Sequence, residues 1–205
     1  GDLGQRIFQQ PFFFFFLGVD IRGRSRTLRI NYRTSHQIRM QADRLLGKEI
    51  TDVDGNVEER RGIVSVFNGP KPAIMVYDSQ KKEIDAVAKW IKEQISDVMP
   101  HEIGVFVRSE AQLPRAQAAI EKSKVPFCIL DDKVETESGH VSISTMHLAK
   151  GLEFRAVCVM ACDDNVVPLQ ERIEMAGDDA ELEEVYNTER HLLYVACTRA
   201  RENLL

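Results

Sequence analysis

Residues 141–154, VSISTMHLAKGLEF, constrain the fold more than any other stretch of the chain. Val141, Ile143 and Thr145 alternate with small polar residues, and β-branched types dominate, which is the pattern of a strand. The alternation stops at Met146, and His147, Leu148, Ala149, Lys150 and Gly151 follow. Residues 155–162 (RAVCVMAC) then supply a second apolar strand. In α/β folds, ligands sit outside the carboxyl ends of the strands, so a strand ending in small, polar and basic residues before a Gly is a ligand-site pattern. Taken alone, the stretch fits a plain buried strand and its turn equally well.

The rest of the chain repeats the alternation of strand and helix. Residues 28–32, 72–78 (PAIMVYD), 102–108 (EIGVFVR) and 125–130 (VPFCIL) read as strands. Ser35 can cap a helix with Ile38, Ala42 and Leu45 or Leu46 at helical spacing, and Gly47 ends it. Residues 51–62, with Asp54 and Gly55 in succession, read as a hairpin or loop. Residues 80–98 place Ile84, Val87, Ile91 and Ile95 on one helical face, and residues 110–123 form a further helix. Residues 182–199 are the last long helix, and 202–205 begin a final strand. Such alternation implies right-handed crossovers and a parallel sheet.

Composition narrows the class. The chain has 205 residues, 43% hydrophobic and 29% charged, which suits one α/β domain with a sizeable core and a fragment of another. Its apolar runs are too short to span a bilayer and no signal-peptide layout is present, so a membrane partner is not expected and a cytoplasmic setting is. Cys128, Cys158, Cys162 and Cys197 form no CxxC pair, which fits reduced thiols better than a disulfide or zinc framework. The net charge of −5 argues against a free-standing general nucleic-acid binder. The charge is uneven: Arg22, Arg24, Arg26, Arg29 and Arg33 are opposed by Asp20, whereas residues 178–184 are acidic.

Four stretches together carry a family resemblance. Residues 141–154, with the order strand-T-x-H-x-x-K-G-L-E-F, resemble motif V of the superfamily 1 DNA helicases of the Rep/PcrA/UvrD type. Residues 28–35 (LRINYRTS) resemble motif IV, residues 189–200 (ERHLLYVACTRA) motif VI, and residues 1–5 (GDLGQ) the core of motif III. The resemblance implies the second, C-terminal RecA-like domain: a three-layer fold of the P-loop NTPase type with a mainly parallel sheet between helices. No GxxxxGK[ST] occurs, so the domain carries no phosphate-binding loop of its own. Residues 1–25 then read as the tail of a preceding motor domain and 26–205 as the second RecA-like domain. A start inside a motif implies that the natural protein extends upstream, and a final strand barely begun implies more chain downstream. Where the best-known relatives insert a large subdomain between motifs IV and V, residues 35–141 are used up by ordinary βαβ units.

The resemblance also implies roles. Arg33 and Arg199 match arginines that reach the γ-phosphate of ATP when a cleft closes, a task suited to an always-charged, forked guanidinium. Gln5 matches a residue near the γ-phosphate that couples nucleotide state to DNA contacts. Tyr32 matches a residue that stacks on adenine, Glu153 one that contacts the nucleotide sugar, and Gly151 a point of close backbone approach. Thr145 and His147 match positions that face single-stranded DNA or relay the nucleotide state; by itself His147 also fits a core histidine. No metal site is expected in this chain, since the magnesium that accompanies ATP would be held by a first RecA-like domain. The run Phe12, Phe13, Phe14, Phe15, Phe16 departs from the family's mixed aromatic and polar residues. It fits a base-stacking platform, a sticky segment covered by the preceding domain, or a departure from the natural residues. The activity implied is ATP-driven 3′ to 5′ translocation on single-stranded DNA, of the kind used in DNA repair. The alternatives are a non-catalytic RecA-like binding module and the motor part of a helicase–nuclease fusion.

Overall fold

A computed structural model of the chain describes residues 30–46, 49–51, 57–59 and 64–205. In chain order the strands are β1 (Ile30–Asn31), β2 (Glu49–Thr51), β3 (Val57–Glu59), β4 (Val64–Ser65), β5 (Ile103–Val107), β6 (Phe127–Ile129), β7 (Val141–Thr145), β8 (Phe154–Val159) and β9 (Ala200–Leu204). The α-helices are α1 (His36–Ala42), α2 (Gln80–Gln94), α3 (Leu113–Ser123), α4 (Gln170–Met175) and α5 (Asp179–Cys197).

The main sheet has five strands in the order β6-β7-β5-β8-β9, and every neighbouring pair is parallel. All five residues of β5 are buried, as a central strand covered on both faces requires. Its side chains alternate between two cores. Ile103, Val105 and Val107 pack with Val87 and Ile91 of α2 and Ala116, Ala119 and Ile120 of α3. Phe106 points the other way, into a core with Ile38 of α1 and Leu192, Val195 and Ala196 of α5. The result is a three-layer α/β fold of the RecA-like kind. Gly104 permits it: a Cβ there would lie 2.6 Å from the Phe154 ring. Phe154 meets Phe106 edge to face, with ring centroids 6.0 Å apart.

Two helix starts follow from their caps. Ser79 accepts a hydrogen bond from the Lys82 amide at 3.4 Å, and Asp178 one from the Glu181 amide at 2.8 Å. Asp179 and Glu181 in the first turn of α5 face the positive end of its dipole. The acidic stretch 178–184 is thus partly a helix start.

The structure departs from the sequence expectations at several points. Residues 72–78 form no strand: Ala73 donates one backbone hydrogen bond to Leu204 at 2.9 Å, while Ile74, Met75 and Val76 face outward. Apolar composition was present there without a ladder partner. Ser35 stands at the start of α1, but its hydroxyl caps nothing and is buried without a partner. Helix α4 was not anticipated. The pairing of β2 with β3 is antiparallel, as a hairpin demands. Gln5, Gly47, residues 1–25 and the phenylalanine run lie outside the described residues.

Candidate nucleotide and nucleic-acid site

The stretch that dominated the sequence runs from one end of the sheet to the other. Thr145 ends β7 opposite Val107, at the carboxyl ends of the strands. A 3-10 turn, Met146–Ala149, follows, and its Met146 and Ala149 are fully buried, which pins the turn to the core. His147 is half-buried and Lys150 exposed. Gly151 has φ 94°, a conformation that favours glycine, and a Cβ there would meet nothing within 4 Å. The constraint at Gly151 is therefore conformational rather than steric within the chain. Phe154 then opens β8 beside Ala200, at the amino ends of the strands. One ligand-site stretch becomes two sites at opposite ends of the sheet.

At the amino end, three distant parts of the sequence meet. The Asn31 side chain accepts hydrogen bonds from the amides of Arg33 (2.8 Å) and Thr34 (3.3 Å), a turn that pushes Tyr32 and Arg33 outward. Tyr32 is 65% exposed. The Thr34 hydroxyl donates to the carbonyl of Thr198 at 3.3 Å, and the Ser35 amide to that of Arg201 at 3.0 Å, which ties this turn to the end of α5. Arg33 Nε meets Glu153 Oε2 at 3.0 Å, and its Nη2 lies 3.5 Å from the carbonyl of Leu152. Arg199 Nη1 donates to that same carbonyl at 3.3 Å. The two arginines singled out in the sequence thus converge on one backbone oxygen.

Their environments differ. Arg33 is half-exposed, whereas Arg199 is only 2% exposed. Arg199 Nε donates to Val195 at 3.0 Å, inside the last turn of α5, where helix carbonyls lack amide partners. Its Nη2 donates to the Thr198 hydroxyl at 3.3 Å. The arginine expected to point at a phosphate is turned inward here.

At the carboxyl end the structure adds residues that sequence reasoning missed. Arg108, just after β5, grips Glu189 of α5 with Nε to Oε2 and Nη2 to Oε1, both at 2.6 Å. Both side chains are 3% exposed. Arg172 of α4 adds a contact to Glu189 Oε1 at 3.3 Å. Arg108 Nη1 lies 3.5 Å from Nδ1 of His147. Burial first, then the Arg108 charge, holds the His147 pKa below its ordinary 6.5, with Glu189 opposing and Arg172 assisting. A signal for this group existed: Glu189 opens the motif-like stretch 189–200, and Arg108 is the first charge after an apolar strand. Thr145, expected beside His147, is half-buried at the end of its strand.

The cysteines fit free thiols. Cys158 lies in the core, where burial pushes its thiol pKa well up, and burial takes that of Cys197 to about 12.

A parallel sheet between helices, with arginines gathered at the start of β8, defines the class as a RecA-like α/β domain. Residues 130–205 match the model of the UvrD-like helicase C-terminal domain family. Over 75 residues the chain is 44% identical to a putative ATP-dependent DNA helicase, YjcD, of Bacillus subtilis. It is 43% identical over 74 residues to the ATP-dependent DNA helicase UvrD1 of Mycobacterium leprae, and 44% over 73 residues to the helicase PcrA of Staphylococcus aureus. Each match covers 36% of this chain and 9% of the relative. The fold is similar to that of the C-terminal domain of a possible DNA helicase from Lactobacillus plantarum, with a TM-score of 0.56 and 21% identity over 85% of this chain and 84% of that one.

Proposed function

We propose that residues 26–205 are the second motor domain of an ATP-dependent DNA helicase or translocase, with residues 1–25 closing a first RecA-like domain. The observation that carries this reading is the meeting of Arg33, Glu153 and Arg199 around Leu152 from three separate stretches. Hydrolysis of ATP needs positioning and charge stabilisation more than covalent help from the protein. The exposed Tyr32 ring would stack on the base, Glu153 would accept from the sugar, and Gln5 and magnesium ligands would come from the first domain. Arg33 and Arg199 each hold a contact at residues 152–153 that a γ-phosphate could replace. Thr145 and His147, at the other end of the same stretch, would face single-stranded DNA. Movement would run 3′ to 5′ in a cytoplasmic protein, with DNA repair as its setting.

The inward orientation of Arg199 favours a second reading, a RecA-like module that binds without ATP coupling. Steady-state ATP hydrolysis by the intact protein, with and without single-stranded DNA, separates the two. DNA-stimulated turnover that collapses in Arg33→Ala supports the motor; no turnover in the wild type supports the module.

A further inference from the structure

We propose that Arg108 and Glu189 are positioning residues that hold His147 as a neutral ring, with Nδ1 accepting and the proton on Nε2. The proposal deepens the reading of His147 as a nucleic-acid contact and rests on it. Two edges of one guanidinium carry the argument. Nε and Nη2 of Arg108 are committed to the Glu189 carboxylate, and this bidentate fork fixes the plane of the group. What remains, Nη1, faces His147 Nδ1 at 3.5 Å. An arginine can only donate, so the ring nitrogen opposite it must accept. A neutral imidazole that accepts at Nδ1 carries its hydrogen on Nε2. An imidazolium would instead set two donors against each other.

The groups around the ring support this. Arg108 and Arg172 oppose a positive ring, Glu189 favours one, and burial adds to the opposition. One carboxylate shared by two guanidiniums leaves a surplus of positive charge beside His147. Val107 and Thr145 lie side by side, so the residues that follow them reach the same end of the sheet. Held this way, His147 offers a ligand a directed hydrogen bond, suited to a phosphate or base oxygen, without adding a charge.

Long-range proton–nitrogen NMR on the ¹⁵N-labelled 205-residue chain reads the tautomer directly, with the ring assigned by its loss in His147→Gln. The expected result is a proton on Nε2 at neutral pH and a titration midpoint below 6.5. The variant Arg108→Met leaves a buried carboxylate with half its partners and can fail to fold. The double variant Arg108→Met/Glu189→Gln removes both charges and keeps a polar partner for Arg172. In it the midpoint should move up toward 6.5 and the second tautomer should become populated. A proton on Nδ1 in the wild type, or an unchanged midpoint and tautomer in a folded double variant, overturns the proposal. No DNA is present in the measurement. Loss of single-stranded DNA binding in His147→Gln would then test the nucleic-acid reading separately.

Discussion

Two arginine–carboxylate pairs of the same chemistry sit at opposite ends of the sheet, and burial makes them different devices. Arg33–Glu153 is roughly half-exposed on both sides, while Arg108–Glu189 is 3% exposed on both. An exposed pair is screened by water and costs little to break, typically about 0–1 kcal/mol. A buried pair that loses one partner leaves a stranded charge, at a cost of about 3–5 kcal/mol. The first pair is therefore free to exchange partners with a ligand, and the second is fixed in the fold. Helix α5 joins the two ends: Glu189 lies within it, about 12 Å of helical rise from its end at Cys197, and Arg199 follows two residues later.

The largest effect should fall at the amino end, in activity. Arg199→Ala in the intact protein should reduce DNA-stimulated ATP hydrolysis by about 10³- to 10⁵-fold, the range for arginines that meet a transferring phosphoryl group. Arg199→Lys should rescue little, because a point charge cannot reproduce the fork. Turnover near normal in a well-folded Arg199→Ala protein would show that the inward orientation is its working state.

The next effect is on stability. Arg108→Ala should destabilise the chain by about 3–5 kcal/mol in urea unfolding. Arg33→Ala should change it by no more than about 1 kcal/mol. Equal losses in the two variants would erase the contrast between the pairs. A smaller effect belongs to Tyr32→Ala. Base–aromatic stacking contributes about 1–3 kcal/mol, so ATP affinity of the intact protein should weaken about 5- to 150-fold with stability unchanged. An unchanged KM for ATP with a collapsed kcat would move Tyr32 out of the binding step. The smallest effect concerns Ala161, whose φ of 57° suits glycine better. Ala161→Gly should be neutral or stabilising by up to about 1 kcal/mol, and a clear loss of stability would show that its methyl group matters more than its backbone.

Legibility followed how local each signal was. Strands β5 and β8 were readable because a buried parallel strand is a near-continuous apolar run, and β7 because β-branched residues alternate with serines in it. Residues 72–78 carried the same composition and failed, because pairing depends on a neighbour that composition does not reveal. Tyr32, Arg33, Gly151, Glu153 and Arg199 could be picked out because each sits within a patterned stretch. The pairing of Arg108 and Arg172 with Glu189 could not, because that partner is 81 and 17 residues away, respectively.

The sequence by itself determined the alternation of strand and helix, and with it the parallel sheet and the two apolar faces. These follow from period and composition along a few residues at a time. Only the tertiary structure decided that residues 141–154 cross from one end of the sheet to the other, that Arg33 is exposed while Arg199 is turned inward, and that a buried carboxylate on α5 grips Arg108. Burial and partner choice are properties of surfaces brought together from distant segments, and no local pattern records which surface will cover which.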